Sequence, residues 1–209
     1  MADEIRLAPQ EIERQSFEII KKHVRLREFP AAVHPVLLRV VHATGDFQMA
    51  RLLRFHPKGI SAGVSAIRAG ARIITDVNMV KAGINSRLLN AHGNRVCCAI
   101  HHADVAARAK SLNITRAAAA MQKYRGLMQH GIVAIGNAPT ALFEVLRLVK
   151  AGVRPALIVG VPVGFVGAAE SKRALEGADV PFITLRGTRG GSSIAVAIMN
   201  ALLKLASNG

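Results

Sequence analysis

The stretch Ile132-Val133-Ala134-Ile135-Gly136-Asn137-Ala138-Pro139-Thr140, residues 132–140, decides how this chain reads. Four apolar residues in a row suit a strand covered on both faces. Gly136 ends the run. Asn137 then reads as an N-cap, and Pro139 suits the first helical turn because its missing N–H has no partner there anyway. A helical pattern follows over 138–151, and a second apolar run, Ala156–Val159, comes after it. Strand, helix and strand at this spacing make a βαβ unit, whose two strands run parallel.

The same rhythm extends in both directions. Upstream lie the runs Leu52–Phe55, Arg72–Thr75 and Arg95–Ala99, and downstream lies Phe182–Leu185. Helical patterns intervene near 59–69, 103–109, 115–129 and 167–176, and a last helix closes the chain at about 192–206. Before the first strand, residues 10–28 place Ile12, Phe17, Ile20 and Val24 on one helical face. Pro30 separates this helix from a second over 31–43. The expected fold is therefore a three-layer α/β domain, a mainly parallel sheet flanked by helices, with an N-terminal helical pair. Residues 1–209 read as one domain in which 1–45 pack on the α/β core. With 51% hydrophobic residues but only 4% aromatic, the core must be built from Ala, Val, Ile and Leu.

Ligands of such sheets bind beyond the carboxyl ends of the strands. The loops to read are thus Thr75–Val80, Gly136–Thr140, Gly160–Gly167 and Arg186–Ser193. In the second, the start of the helix would offer free N–H groups to an anion, although a well-capped turn explains the same residues. In the third, the glycines would let backbone approach a ligand. Their spacing is neither GxGxxG nor a phosphate-binding P-loop. Phe165 would cover a flat ligand face or plug the core. In the fourth, Ser192 or Ser193 would cap the last helix, and Arg186 and Arg189 would bind an anion or stand in solvent. Thr115 reads as the N-cap of the Ala-rich helix. Arg116 in its first turn opposes the helix dipole unless an anion joins it.

Basic residues number 28 against 13 acidic, a formal net charge of +15. Such a field draws in anions, whether nucleic acid, anionic lipid or a small polyanion. The basic residues are scattered and stacking aromatics are scarce, which argues against a nucleic-acid-binding module. No apolar run reaches the ~20 residues of a membrane span. Met1–Gln10 carries Asp3 and Glu4 and no apolar segment, so it does not read as a signal peptide. The two cysteines, Cys97 and Cys98, are adjacent and make no disulfide framework, so a reducing cytoplasm is expected. No histidine has HxxxH spacing, and no CxxC occurs, so no metal site is expected. His101 and His102, adjacent on a strand, would face opposite ways. His42 stands apart, at the end of an apolar helix, where the helix dipole favours an imidazolium and hence a proton donor. The same position also suits an ordinary helix-ending histidine.

Four strings, taken in order, resemble the precorrin-8X methylmutase family and its anaerobic counterpart, the cobalt-precorrin-8 methylmutases. They are residues 40–47 (VVHATGDF), 114–116 (ITR), 136–143 (GNAPTALF) and 161–172 (VPVGFVGAAESK), and the resemblance spans about Ile12 to Leu203. It implies an isomerase that moves one methyl group between ring carbons of a corrin precursor by a 1,5-sigmatropic shift, without cofactor or methyl donor. It places the family histidine on His42 as proton donor or acceptor. It places substrate contacts on Ser16 and Arg39, and singles out Thr115, Arg116, Asn137, Thr140, Gly164 and Phe165 in the matched loops. It also implies a homodimer with its site at the interface, and a polycarboxylate substrate suited to the positive field. The variants at 44–47 and 161–162 are closer to the cobalt-first branch, in which cobalt is carried by the substrate. The remaining alternatives are a basic nucleic-acid-binding module, a nucleotide-dependent enzyme and a corrinoid carrier without catalysis.

Overall fold

A computed structural model describes residues 8–208 of the chain. Met1–Leu7, with the acids expected at the N-terminus, and Gly209 lie outside the described residues. Eleven α-helices and six strands occur in it: α1 Pro9–His23, α2 His34–Thr44, α3 Met49–Leu52, β1 Leu53–Phe55, α4 Gly59–Arg68, β2 Arg72–Thr75, α5 Asn78–Gly83, α6 Ser86–Ala91, β3 Arg95–Cys97, α7 Ala103–Ser111, α8 Arg116–Lys123, β4 Ile132–Ile135, α9 Pro139–Lys150, β5 Leu157–Gly160, α10 Ala168–Glu176, β6 Phe182–Leu185 and α11 Ser192–Ser207.

The strands form one sheet in the order β1-β6-β5-β4-β2-β3. Five of them are parallel, and β1 joins the edge antiparallel to β6, pairing Arg54 with Thr184. Side-chain alternation sorts the apolar strand residues into two cores. Ile73, Ile132, Ala134, Leu157, Val159 and Ile183 face α1, α2, α4 and α11. Ile74, Val133, Ile135, Ile158 and Phe182 face α7, α8, α9 and α10. This is the expected three-layer arrangement. The chain crosses from β2 to β3 on the first face and returns to β4 on the second, so the winding reverses between β2 and β4. The carboxyl ends of the strands at this reversal are where folds of this kind bind their ligands.

Several boundaries differ from the sequence reading. The expected first helix stops at His23, and a 3-10 turn over Leu26–Glu28 follows. The Ala-rich helix stops at Lys123, and a 3-10 turn over Arg125–Met128, which contains Gly126, follows it. Leu52 belongs to the short helix α3 rather than to β1. Helices α5 and α6, six residues each, carry too few turns to show an apolar period. They are held by contacts instead: Asn85 caps α6 by accepting from Leu88 N–H at 3.0 Å, and Asn200 of α11 bonds the turn between them. β3 ends at Cys97, so His101 and His102 lie in the following turn and not on a strand. Among the described residues, no helix is long and apolar enough to cross a membrane.

Candidate functional site

The point of reversal between β2 and β4 is filled by the protein's own carboxylate. Asp76, fully buried just after β2, accepts N–H bonds from Gly136 at 3.1 Å, Asn137 at 2.8 Å and Ala138 at 2.7 Å. Burial pushes its carboxyl pKa up, while the three donors pull it back towards the charged form. This corrects two expectations. Asn137 is not the N-cap of α9: Ala138 holds that place, without a side-chain cap bond. Nor is this turn open to an external anion through those N–H groups, because a carboxylate from the neighbouring strand satisfies them. Asn137 itself is exposed. The sequence held a signal for this in a lone acid directly after an apolar strand.

Next to that turn, the Oγ1 atoms of Thr115 and Thr140 are 2.8 Å apart and join the first turns of α8 and α9. Thr115 caps α8 as expected, accepting from Ala118 N–H at 3.2 Å. Arg116 is exposed at the start of α8, and among the described residues no carboxylate forms an ion pair with it. With Lys110, Asn113 and Ile114 it lines a recess of about 570 Å³ against α7.

The loops after β5 and β6 are stitched together. Gly164 N–H donates to the Thr188 carbonyl at 3.1 Å, and Gly191 N–H to the Val161 carbonyl at 2.9 Å. Gly190 lies so close that a Cβ there would meet the carbonyl oxygens of Val161 and Pro162, the latter at 2.5 Å. Gly164 has φ +146. At the loop tip, Phe165 and Val166 are 93% and 91% exposed, so Phe165 does not plug the core. Neither arginine of the second loop stands free in solvent. Arg186 pairs with Glu176 at 2.7 Å, and Arg189 with Asp46 at 2.5 Å. Neither Ser192 nor Ser193 caps α11, whose N-cap is Gly191 without a side-chain bond.

The Arg189–Asp46 pair carries the rim across to the N-terminal helices. Asp46 lies just beyond α2, whose last turn holds His42, exposed, before a left-handed Gly45. The His42 ring meets Phe17 of α1 edge-on at 5.7 Å, and the Arg39 guanidinium lies 5.1 Å from the centre of the Phe17 ring. Arg39 is not a free clamp, since its Nη2 bonds Glu13. Ser16 is half-buried and donates to the Ile12 carbonyl at 2.7 Å. Phe17 and Arg39 line a pocket of about 240 Å³ that includes Lys204 and is distinct from the recess at Arg116. His42, Phe17 and Arg39 are therefore brought together, as are Thr115 and Thr140, but Arg39 and Arg116 do not meet in one cavity of a single chain.

Besides Asp76, sequence reasoning missed Lys172. This lysine of the 161–172 string is fully buried on α10, and its Nζ donates to the Arg189 carbonyl. Burial pushes its pKa down to about 8. Among the described residues, no group of three or more His, Cys, Asp or Glu is placed to hold a metal ion.

Comparison with known proteins matches this arrangement to one family. A family model described as CbiC, precorrin-8X methylmutase, matches residues 11–205. The cobalt-precorrin-8 methylmutase of Priestia megaterium is 46% identical over 202 residues, covering 96% of this chain and 90% of that protein. The precorrin-8X methylmutase of Pseudomonas aeruginosa is 46% identical over 196 residues, covering 92% and 94%. The solved precorrin-8X methyl mutase of Thermus thermophilus superposes with a TM-score of 0.90 at 42% identity, over 96% of this chain and 97% of that one.

Proposed function

This chain belongs to the precorrin-8X methylmutase family, and on that premise we propose that it is an isomerase of cobalamin biosynthesis that shifts one methyl group on a corrin precursor by a 1,5-sigmatropic rearrangement. The reaction converts cobalt-precorrin-8 to cobyrinate or precorrin-8X to hydrogenobyrinate. The cobalt-bearing form is the preferred reading, because of the variants at 44–47 and 161–162. Cobalt, where present, arrives inside the substrate, and no cofactor is invoked.

The observation that carries this reading is the convergence of the four matched strings on one rim of the sheet. The 40–47 string reaches the strand-end loops through Asp46 and Arg189. The 114–116 and 136–143 strings touch through Thr115 and Thr140. The 161–172 string supplies the adjoining loop, with Phe165 at its tip. In the proposed mechanism His42 gives a proton, or a hydrogen bond, to the macrocycle as its charge shifts during migration. Arg116 grips a rim carboxylate by its fork. Arg39 and Ser16 flank the ring, with Arg39 giving up part of its contact with Glu13. Thr115, Asn137, Thr140 and Gly164 line the approach, and Phe165 covers the apolar ring face. A homodimer completes the site: the exposed Phe165–Val166 tip and exposed His42 are surfaces that a second copy would bury. The cytoplasm is the proposed location.

The test is to incubate the protein with metal-free and with cobalt-bearing substrate and follow the visible spectrum, since methyl migration changes ring conjugation. Turnover of either supports the reading, and turnover of neither refutes it. His42→Ala is expected to retain macrocycle binding and lose most turnover. Near-wild-type conversion by that variant would remove His42 from the chemistry.

A further inference from the structure

His42 lies on a helix end, and a helix end frays unless something holds it. On one side α1 holds it, through Phe17 against the His42 ring and through His23, stacked on Phe47 at 4.6 Å. On the other side the only ion pair reaching it among the described residues is Asp46 with Arg189. Asp46 also fixes its own turn, accepting from Gln48 N–H at 2.8 Å. Arg189 in turn is not a loose surface residue. Its carbonyl takes the buried ammonium of Lys172, and its two neighbours, Thr188 and Gly190, are clamped against the 161–164 segment. A buried ammonium is a costly feature, and the hydrogen bond it makes among the described residues is directed at the carbonyl of Arg189, whose side chain pairs with Asp46 just beyond the His42 helix.

We propose that Arg189, anchored through its backbone by Lys172 and through its side chain to Asp46, is a positioning residue that sets where the His42 imidazole stands over the strand ends. The proposal rests on the methyl-shift reading above. Arg189, Lys172 and Asp46 all lie outside the set assigned to substrate contact. The chain Lys172–Arg189–Asp46 couples the two halves of the rim, so that the proton-handling helix and the strand-end loops stay in register while a large flat ligand lies between them. A displacement of about 1 Å at the reacting centre is enough to lower turnover strongly.

Four variants test it: Arg189→Met, Asp46→Asn, the double variant and Arg189→Lys. Macrocycle affinity is read by visible-absorbance titration, turnover by the spectral change, and the His42 imidazole by its proton NMR signals. Arg189→Met and Asp46→Asn are each expected to lower kcat roughly tenfold with affinity within about twofold. The double variant should be no worse than either single one, Arg189→Lys should recover most of the rate, and the His42 signals should shift in both single variants. If Arg189→Met weakens affinity and leaves kcat intact, Arg189 is a substrate contact and the proposal is overturned. Losses that multiply in the double variant, or His42 signals that do not move, overturn it too. A wild-type protein that turns over neither substrate overturns the methyl-shift reading instead. The NMR comparison then still decides whether Arg189 places His42.

Discussion

The Asp76 carboxylate accepts from Ala138 N–H at 2.7 Å, across the point where the winding of the sheet reverses. Two parallel strands thereby share one buried anion, and the turn that leads into α9 is built on it. Replacing Asp76 by Ala leaves three N–H groups without this acceptor, the Gly136 one buried and those of Asn137 and Ala138 partly buried. Each unsatisfied group is worth about 1–3 kcal/mol. Asp76→Ala is expected to lose at least about 3 kcal/mol of unfolding free energy in a urea titration. A loss below about 1 kcal/mol would show that water replaces the carboxylate.

The Thr115–Thr140 contact predicts a coupled pair. Thr115→Ala removes the N-cap of α8 and should destabilise by about 1 kcal/mol. Thr140→Ala removes only the hydroxyl-to-hydroxyl bond and should lose less. In a double-mutant cycle, thermal melts should show the two losses to be less than additive, because each substitution breaks the same bond. Full additivity would mean the hydroxyls do not pair in solution.

Gly190 predicts a steric effect. A methyl group there meets the carbonyl oxygens of Val161 and Pro162. Gly190→Ala must push the two strand-end loops apart, at an expected 1–3 kcal/mol. Turnover should fall with it, because the same loops carry Arg189 and Phe165. Gly126, with nothing near its Cβ position, supplies the control. Gly126→Ala should leave both stability and rate close to wild type.

Lys172 predicts a pH dependence of stability. Its pKa is about 8 in the folded chain and close to the ordinary value of about 10.4 when unfolded. Between those values the unfolded chain binds more protons, so stability rises with pH across that window and is flat for this group below about 8. The gain amounts to about 3 kcal/mol. Denaturant titrations from pH 7 to 10 should show the rise in wild type and a flatter profile in Lys172→Met. A wild-type profile that rises no more than that of Lys172→Met would contradict the lowered pKa of Lys172.

Much of the fold was legible because period and continuity are local properties. The Ile132–Ile135 run, the Pro139 start and the Ala156–Val159 run give a βαβ unit without any knowledge of neighbours, and all three reappear within one or two residues. The Thr115 cap was legible for the same reason, since a cap and its N–H partner lie three residues apart. The short helices α5 and α6 were not, because six residues hold too few turns for an apolar period. The Asn137 cap was misread because a closer competitor stood 61 residues away in the sequence.

By itself, then, the sequence determined the layer order, the loops that meet at the carboxyl ends of the strands, and the family strings that bear His42, Arg116 and Phe165. Those rest on residue types at short spacing. Only the tertiary structure decided which charges are already spoken for: Asp76 by three backbone donors, Arg39 by Glu13, Arg189 by Asp46, and Lys172 by a carbonyl. Such pairings join positions 13 and 39, 46 and 189, or 76 and 138, and no local pattern encodes them. The energy of a buried or half-buried charge depends on what the folded chain places within a few ångströms of it, and that neighbourhood exists only once the sheet has formed.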